Sequence, residues 1–222
     1  MDLGKKFENL TEGLEDIQLT RVNGRITEVI GMLIKAVVPD VKLGEICLIK
    51  RDGEPLKAEI VGFTKEEVLL SPLGSMDGIG PASEVIPTGL PLLIKVGDNL
   101  LGRIVNGLGE ALDEDVKGPL ILDETHPVIQ SPPDPLTRMR IDKPLTTGIR
   151  SIDGVLTCGI GQRVGVFAAA GGGKSTLMGM IAQHAKVDVN VIALIGERGR
   201  EVRDFVEESL GEEGLKRSVV IV

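Results

Sequence analysis

The sequence predicts a small β-barrel followed by an α/β domain with a parallel sheet. Short runs rich in Val, Ile and Leu recur between residues 21 and 92, separated by Gly, Pro and Asp, which is typical of a small barrel or sandwich. From residue 149 onward, strand-like apolar runs alternate with runs of helical spacing, which indicates a parallel sheet covered by helices. The glycine-rich stretch AAAGGGKST separates the first such strand from the first helix.

The composition excludes several classes of protein. The 222 residues carry a net charge of −8, with no Trp and no Tyr, which argues against binding to a nucleic-acid backbone and against a base-stacking surface. No apolar run has the length of a membrane span, and the N-terminus lacks the apolar core of a secretory signal. Cys47 and Cys158 form no motif and are expected to be reduced thiols, and His126 and His184 have no neighbours at zinc-ligand spacing.

Residues 1–20 form an amphipathic segment whose apolar residues are spaced by four, three, four and three positions. They are Leu3, Phe7, Leu10, Leu14 and Ile17. This spacing is that of a coiled-coil seam or of a narrow apolar helix stripe. Gly4 and Gly13 weaken such a helix. Two interpretations remain open: the segment packs on its own barrel or frays, or it is a helix that docks on a partner.

Residues 21–92 contain the predicted barrel strands, and residues 93–222 contain the predicted start of the α/β domain. The strand-like runs are GRITEVIGMLIKAVV, GEICLIKR, LKAEIVGF, EEVLLSPL and SEVIPTGLPLLIKVG. A barrel this small is expected to be filled by side chains, so it is a collar rather than a binding pocket. The proline-rich stretch from Leu93 to Gly148 is predicted to be an irregular connector that wraps the surface of the next domain.

The remaining residues predict the order βαβαβ. The predicted strands are RVGVFA, VNVIALIGE and RSVVIV. The first helix places one group of apolar side chains on a single face: Leu177, Met178, Ile181, Ala182 and Ala185. The second helix is predicted from apolar residues at helical spacing, and Gly211 is predicted to end it. These apolar residues are Val202, Phe205, Val206 and Leu210.

The stretch AAAGGGKST is similar to the phosphate-binding pattern GxxxxGK[ST], with Ala168 in the place of the first glycine. Adjacent glycines let the backbone approach a polyphosphate at a helix N-terminus. Lys174 is expected to reach the β- and γ-phosphates, and the Ser175 hydroxyl is expected to bind Mg²⁺. The predicted ligands are therefore the polyphosphate of a nucleotide and Mg²⁺. The predicted ATP-binding residues are Ala170, Gly171, Gly172, Gly173, Lys174, Ser175 and Thr176.

A second charged group follows the next predicted strand, in the stretch ALIGERGRE. Glu197 then lies at the carboxyl end of that strand, where ligands of open α/β sheets bind, and can polarise the water that attacks a γ-phosphate. Arg198 or Arg200 can neutralise phosphate charge. The alternative is that these residues are solvated or cap the following helix.

These stretches together resemble a known family. RMRIDKPLTTGIRSIDGVLTCGIGQRVGVFAAAGGGKSTLMGMIA and NVIALIGERGREVRDFVEESLGEEGLKRSVVIV closely resemble type III secretion ATPases and their flagellar-export relatives, and more distantly the catalytic subunit of rotary ATP synthases. Alanine at position 168 is usual in that family. The resemblance implies a RecA-like P-loop core, with Lys174 and Ser175 in the roles above, Glu197 as the hydrolytic base and Arg198 near the γ-phosphate.

The resemblance also implies partners and a location. Such proteins form hexamers at the cytoplasmic base of a secretion machine, on the inner face of the bacterial inner membrane, where they release chaperones from export substrates and unfold them. Their N-terminal region binds a stator-like regulator, for which the stripe from Leu3 to Ile17 is the candidate contact. A nucleic-acid partner is not expected.

The resemblance further implies that the chain is the N-terminal part of a longer ATPase. Beyond Val222 a family member continues with the Walker B aspartate, the arginine finger, the adenine-stacking residues and a C-terminal helical domain. We therefore expect weak or absent turnover by this chain alone, and an unpaired, apolar sheet edge. The alternatives are the flagellar branch and, from another class, a module that binds a regulator or chaperone without turnover. A rotary ATP synthase subunit fits the sequence less well.

Overall fold

The computed structural model describes residues 22–169 and 171–222, and the chain divides into two compact units, one ending at Leu92 and one beginning at Leu93. The first unit contains β1 Gly24–Ile30, β2 Leu33–Val37, β3 Glu45–Ile49, β4 Leu56–Phe63, β5 Val68–Pro72 and β6 Glu84–Pro91. The strands of the second unit are β7 Leu93–Val96, β8 Ile104–Val105, β9 Glu124–Pro127, β10 Pro144–Leu145, β11 Cys158–Gly159, β12 Asn190–Ala193 and β13 Ser218–Ile221. Its helices are α1 Glu114–Lys117, α2 Arg150–Val155, α3 Lys174–His184, α4 Gly199–Asp204, a π-helix Phe205–Leu210 and α5 Gly211–Lys216, with short 3₁₀ turns at Asp98–Leu100 and Pro135–Thr137.

The first unit is a closed six-stranded barrel, which confirms the predicted fold of this region. Its strands are ordered β1-β2-β5-β4-β3-β6, and β6 closes the barrel on β1. Alternate residues of each strand point inward, so that Leu56, Ala58 and Ile60 of β4 are all buried. The interior is filled by aliphatic side chains, as expected for a barrel of this size.

One of the two cysteines lies inside the barrel. Cys47 on β3 is fully buried, and burial, together with the negative charge of Glu45, raises the pKa of its thiol to about 12. The thiol is therefore un-ionised at neutral pH and acts as a small apolar core residue. Glu45 is also buried, and it accepts hydrogen bonds from the backbone N–H groups of Lys42 and Gly89.

The second unit is built on a three-stranded parallel sheet in the order β12-β13-β8. Helix α3 and the π-helix pack on this sheet around Ala182, Phe205, Leu210 and Val220. The connection from β12 to β13 through α4, the π-helix and α5 is the predicted βαβ unit. Two pairs of short antiparallel strands, β7 with β9 and β10 with β11, complete the described strands of this unit.

Three expectations for this unit were wrong in part. The run RVGVFA is not a strand, because it pairs with no other strand in the described part of the chain. Its apolar composition predicted a buried strand, whereas Phe167 is 96% exposed. The predicted connector is not purely irregular, because its Ile104 and Val105 pair in parallel with β13 and Val105 is buried. Gly211 ends the π-helix with a positive φ of 65°, but helix α5 begins there at once.

The helical face predicted for α3 is only partly covered. Ala182 and Ala185 are buried and Leu177 and Ile181 are half-buried, whereas Met178 remains 45% exposed. Among the described residues, no helix combines the length and the apolar composition needed to cross a bilayer. The amphipathic stripe Leu3–Ile17 lies outside the described residues.

Candidate functional site

The glycine-rich loop leads directly into the N-terminus of α3. Gly171 and Gly173 have φ angles of 76° and 78°, in the left-handed region that side chains disfavour. At Gly172 a Cβ would lie 2.8 Å from the Ala168 Cβ and 3.0 Å from the Ala169 carbonyl oxygen, so this position also requires glycine. Ala168 is therefore packed against the loop backbone. The first N–H groups of the helix, from Lys174 onward, have no acceptor within it and can bind an anion.

A cavity of about 590 Å³ lies against this loop. Its walls come from the loop with the first turn of α3 and from the segment that follows β12. The lining residues are Ala168, Ala169, Gly171, Gly172, Gly173, Lys174, Ser175, Thr176, Glu197, Glu201, Asp204, Phe205, Glu208 and Ser209. The structure thus brings Lys174 and Ser175 to the same cavity as Glu197, which follows Lys174 by 23 positions in the sequence.

One of the described site residues predicted from the sequence stands apart from this group. Arg198 is exposed, is the N-terminal capping residue of α4 and does not line the cavity. Ala170 lies outside the described residues. Arg200, which the sequence left as an alternative to Arg198, is 92% exposed and lies 4.0 Å from Asp204.

The side chains that line the cavity mouth are free to bind a ligand. Lys174, Ser175, Thr176 and Glu197 are all exposed, and none of them forms a side-chain hydrogen bond or an ion pair with another described residue. An exposed lysine at the N-terminus of a helix adds a mobile positive charge to the row of backbone donors. The combination suits a ligand with several anionic oxygens.

The opposite wall of the cavity is a row of carboxylates. Glu197, Glu201, Asp204 and Glu208 all line it, at spacings of four, three and four residues. Only Glu197 was selected from the sequence, although Glu201, Asp204 and Glu208 are related to one another by helical spacing within the predicted second helix. Negative charge opposite a phosphate loop repels a bare polyphosphate and favours one whose charge is neutralised by a cation.

A second, more apolar cavity of about 550 Å³ lies between α3 and β12. It shares Lys174, Ser175, Glu197, Glu201 and Phe205 with the first cavity, and aliphatic side chains make up much of the rest of its lining. The further lining residues are Met178, Ile181, Ala182, Val187, Val189, Asn190, Val191, Ile192, Ala193, Leu194 and Ile195. Sequence reasoning had no signal for this cavity, because it depends on how α3 lies over β12.

Helix α3 is held closely against the π-helix. A Cβ at Gly179 would lie 2.6 Å from both the Cβ and the carbonyl oxygen of Ser209, so the two helices approach closely at this glycine. Gln183 donates from Nε2 to the carbonyl oxygens of Ser209 and Leu210, at 2.9 and 3.1 Å. These two bonds fix the C-terminal half of α3 to the last two residues of the π-helix.

A turn before α2 contacts the other end of α3. The Asp153 carboxylate accepts bonds from the N–H and hydroxyl of Thr147, both at 2.8 Å, and from the Gly148 N–H at 3.0 Å. These hydrogen bonds lower the pKa of Asp153, and the bond from the Thr147 N–H has the largest effect. Gly148 packs against His184 so closely that a Cβ would not fit.

Two family models match the chain. The β-barrel domain of the ATP synthase alpha/beta family matches residues 26–89, and the nucleotide-binding domain of the same family matches residues 148–222. Together they span well over half of the chain. The first model coincides with the barrel, and the second contains the loop, α3 and Glu197.

Relatives of two kinds are similar to this chain. The type 3 secretion system ATPase of Xanthomonas euvesicatoria is 48% identical over 214 residues, which are 96% of this chain and 48% of the relative. The corresponding protein of Sinorhizobium fredii is 46% identical, over 90% of this chain and 45% of its own length. The flagellum-specific ATP synthase of Bacillus subtilis is also 46% identical, over 98% of this chain and 50% of its own length.

Solved structures of a type III secretion ATPase are also similar to this chain. The assembled ATPase EscN in complex with its central stalk EscO, from the type III secretion system of enteropathogenic E. coli, is 41% identical with a TM-score of 0.79. That alignment covers 90% of this chain and 48% of EscN. The chain therefore spans about half the length of the relatives it matches.

Proposed function

Because this chain belongs to the ATP synthase α/β family, we propose that it binds ATP with Mg²⁺ and is part of an ATPase that drives type III protein secretion. The observation that carries the proposal is the cavity that joins the glycine-rich loop and Lys174 to Glu197. ATP hydrolysis requires a phosphate cradle and a water-activating carboxylate on opposite sides of one space. This cavity offers both.

Binding of the polyphosphate is assigned to the loop and to the start of α3. The backbone N–H groups of Gly171 and Gly173, with those of Ser175 and Thr176, are the proposed donors to the anion at the positive end of the helix dipole, while the Gly172 N–H donates to the Ala169 carbonyl oxygen and shapes the loop. Ala170 belongs to the same loop by its position in the sequence. Lys174, which has no competing partner among the described residues, reaches the β- and γ-phosphates with its ammonium group.

The residues present fit Mg²⁺ as a partner of the nucleotide. In the described part of the chain, no group of three His, Cys, Asp or Glu side chains could hold a metal by itself. Mg²⁺ commonly takes one or two protein ligands and completes its shell with phosphate oxygens and water, so a hydroxyl at Ser175 suffices. When bound, Mg²⁺ neutralises phosphate charge. The carboxylate row opposite the loop makes that neutralisation necessary.

Glu197 is the proposed general base. It lies beyond the carboxyl end of β12, lines the cavity with Lys174 and carries no hydrogen bond or ion pair to other described residues, so its carboxylate is available to orient and polarise a water. Arg198 follows it directly and is proposed to contact the γ-phosphate. To do so its side chain must turn toward the cavity, which it does not line in this structure.

The whole-protein function is proposed from the relatives. Its ATPase activity would release export substrates from chaperones and unfold them, in a homo-hexamer on the cytoplasmic side of the bacterial inner membrane at the export apparatus. EscN has been solved as an assembled ATPase and with its central stalk EscO, which supports an oligomer with a protein partner. The Leu3–Ile17 stripe is the proposed contact for a stator-like regulator. Turnover by this chain alone is expected to be weak.

A flagellar export ATPase is the second candidate. The flagellum-specific ATP synthase of Bacillus subtilis matches this chain as well as the secretion ATPase of Sinorhizobium fredii does, at 46% identity. Both candidates use the same nucleotide chemistry. Complementation of a flagellar-export mutant and of an injectisome mutant with the complete gene separates the two.

The test of the site is nucleotide binding by this chain and by Lys174→Ala, measured by isothermal titration with Mg-ADP. Loss of one charge-assisted contact should weaken binding by about tenfold to a hundredfold. Lys186→Ala removes an exposed lysine just beyond the other end of α3 and is the matched control, which should bind like the wild type. If the wild type binds no nucleotide, or if Lys174→Ala binds as tightly, the proposal is wrong.

A further inference from the structure

We propose that Arg217 is a positioning residue of the nucleotide site. It clamps the C-terminal end of α3 to the parallel sheet and thereby holds the glycine-rich loop, at the opposite end of the helix, in the geometry that binds phosphate. This inference rests on the proposed function, because it concerns how that site is kept in shape.

The contacts of Arg217 are concentrated on one helix end. Its Nη2 donates to the carbonyl oxygens of Ala182 at 2.7 Å and Gln183 at 2.6 Å. Its Nη1 donates to the carbonyl oxygens of Ala185 at 3.1 Å and, at 3.5 Å, Val187. The last carbonyls of a helix have no hydrogen-bond donor within it, and Arg217 Nη2 supplies donors to two of those of α3, at Ala182 and Gln183. A positive charge there is also favoured by the helix dipole.

Among the described residues, these four bonds are all the hydrogen bonds that the Arg217 side chain makes. No carboxylate pairs with it among the described residues, although the chain has more acidic than basic side chains. An arginine whose guanidinium serves only backbone carbonyls has a geometric role rather than a role in charge pairing. Lysine cannot reproduce it, since an ammonium group lacks the planar fork that reaches several acceptors at once.

The clamp is anchored at the centre of the sheet. Arg217 directly precedes β13, which is paired on both sides, with β12 and with β8. Asn190, the first residue of β12, adds a bond from Nδ2 to the same Ala182 carbonyl oxygen at 2.9 Å and a bond to Ser218 Oγ. The helix end is thus fixed to the beginnings of two neighbouring strands.

The other end of α3 carries the phosphate-binding groups. The helix has 11 residues, and its first residue lies about 7.5 Å from Gly179, at which α3 contacts Ser209. A tilt of about 10° around that contact therefore moves the start of the helix by about 1.3 Å. A misplacement of about 1 Å can cost on the order of a hundredfold in a catalytic site. The contact of Gly179 with Ser209 lies near the middle of α3 and acts as a pivot. Beyond it, Arg217 holds the C-terminal end together with Gln183 and Asn190.

The alternative is that Arg217 only stabilises the fold. The two roles differ in what a substitution changes. A purely stabilising residue lowers the melting temperature and leaves the native site intact, whereas a positioning residue changes the loop and its affinity while the protein is still folded.

The experiment compares Arg217→Lys and Arg217→Ala with two controls. Lys216→Ala removes the neighbouring side chain, whose ion pair is with Glu213 on the surface. Asp113→Asn weakens the buried ion pair with Arg103 in the same unit and controls for lost stability without touching α3. For each variant we would measure the melting temperature, the Kd for Mg-ADP and the amide resonances of Gly171–Gly173 in the nucleotide-free protein.

We expect both Arg217 variants to bind Mg-ADP about tenfold or more weakly, because the loop must be re-ordered on binding. Their loop amide resonances should shift, and a low, non-denaturing concentration of guanidinium should partly restore the affinity of Arg217→Ala. Lys216→Ala and Asp113→Asn should keep the wild-type affinity and loop resonances. If the alanine variant does not fold, the lysine variant decides the question.

Two results would overturn the clamp while leaving the proposed function in place. One is an unchanged Kd with unchanged loop resonances in Arg217→Lys. The other is an equal loss of affinity in Asp113→Asn at a comparable fall in melting temperature. A wild-type chain that binds no Mg-ADP would instead contradict the proposed function itself.

Discussion

The contact between Gly179 and Ser209 predicts that Gly179→Ala destabilises the second unit. The added Cβ would lie 2.6 Å from both the Cβ and the carbonyl oxygen of Ser209, where carbon atoms normally stay about 3.5–4.0 Å apart. One of these atoms belongs to the backbone of the π-helix, so α3 itself must move by about 1 Å. Overpacking of this kind costs about 1–3 kcal/mol, and occasionally more.

The helix propensity of alanine works in the opposite direction. Replacing glycine inside a helix gains up to about 1 kcal/mol. If the steric cost lies at the upper end of its range, the net loss is about 2 kcal/mol, which lowers the melting temperature by about 4–8 °C in a unit of this size. The matched control is Gly154→Ala, inside α2, where an added Cβ meets nothing within 4 Å. That variant should gain stability.

Far-UV circular dichroism at the helical band is the appropriate assay, since the chain has no Trp and no Tyr for fluorescence and the helices of residues 22–169 and 171–222 lie in the second unit. Calorimetry should show the same transition moving. A Gly179→Ala protein that melts at or above the wild-type temperature would refute the close packing of α3 on the π-helix. Equal destabilisation by Gly154→Ala would show that glycine replacement in general, and not this contact, is responsible.

Three further predictions concern charge and ionisation. The double variant Glu201→Gln, Glu208→Gln removes negative charge from the cavity wall, so in EDTA it should bind ATP more tightly than the wild type does. With Mg²⁺ present the gain in affinity should be smaller. Equal binding curves for the variant and the wild type in EDTA would argue against this. Hydrogen bonds from Thr147 lower the pKa of Asp153, so its contribution to stability is full above the unfolded pKa of about 3.9 and is lost as pH falls through the lower pKa of the folded state. Asp153→Asn should therefore lose less stability than the wild type between neutral and acidic pH, measured by urea unfolding at each pH. An equal loss of stability in the two proteins would contradict this. Burial raises the pKa of Cys47 to about 12, so iodoacetamide should modify it only after denaturation, as mass spectrometry of the folded and unfolded protein can test.

Local patterns were sufficient to predict the barrel and the glycine turn that precedes α3. Alternation along β4 identifies Leu56, Ala58 and Ile60 as one inward face, and a closed barrel leaves few other arrangements. The glycines before Lys174 predict a tight turn because only glycine adopts the angles observed at Gly171 and Gly173. In these regions the residues adjacent in sequence determine the backbone.

The errors arose where distant residues decide the conformation. Phe167 and its neighbours have a strand composition, but a strand also needs a hydrogen-bonded neighbour, which no local pattern specifies. Ile104 and Val105 form a strand too short to show any period, and only their pairing with β13 reveals it. Arg217 caps a helix that ends more than 30 positions earlier, so no capping motif in the sequence could connect them.

The unpaired state of Lys174 has a consequence for the kinetics of nucleotide capture. Since its ammonium group bonds to no other described side chain, no internal contact has to break before a phosphate arrives. Association should therefore follow the rate of collision and its dependence on ionic strength, without a preceding unimolecular step. In stopped-flow mixing, the observed rate should rise linearly with nucleotide concentration and show no plateau.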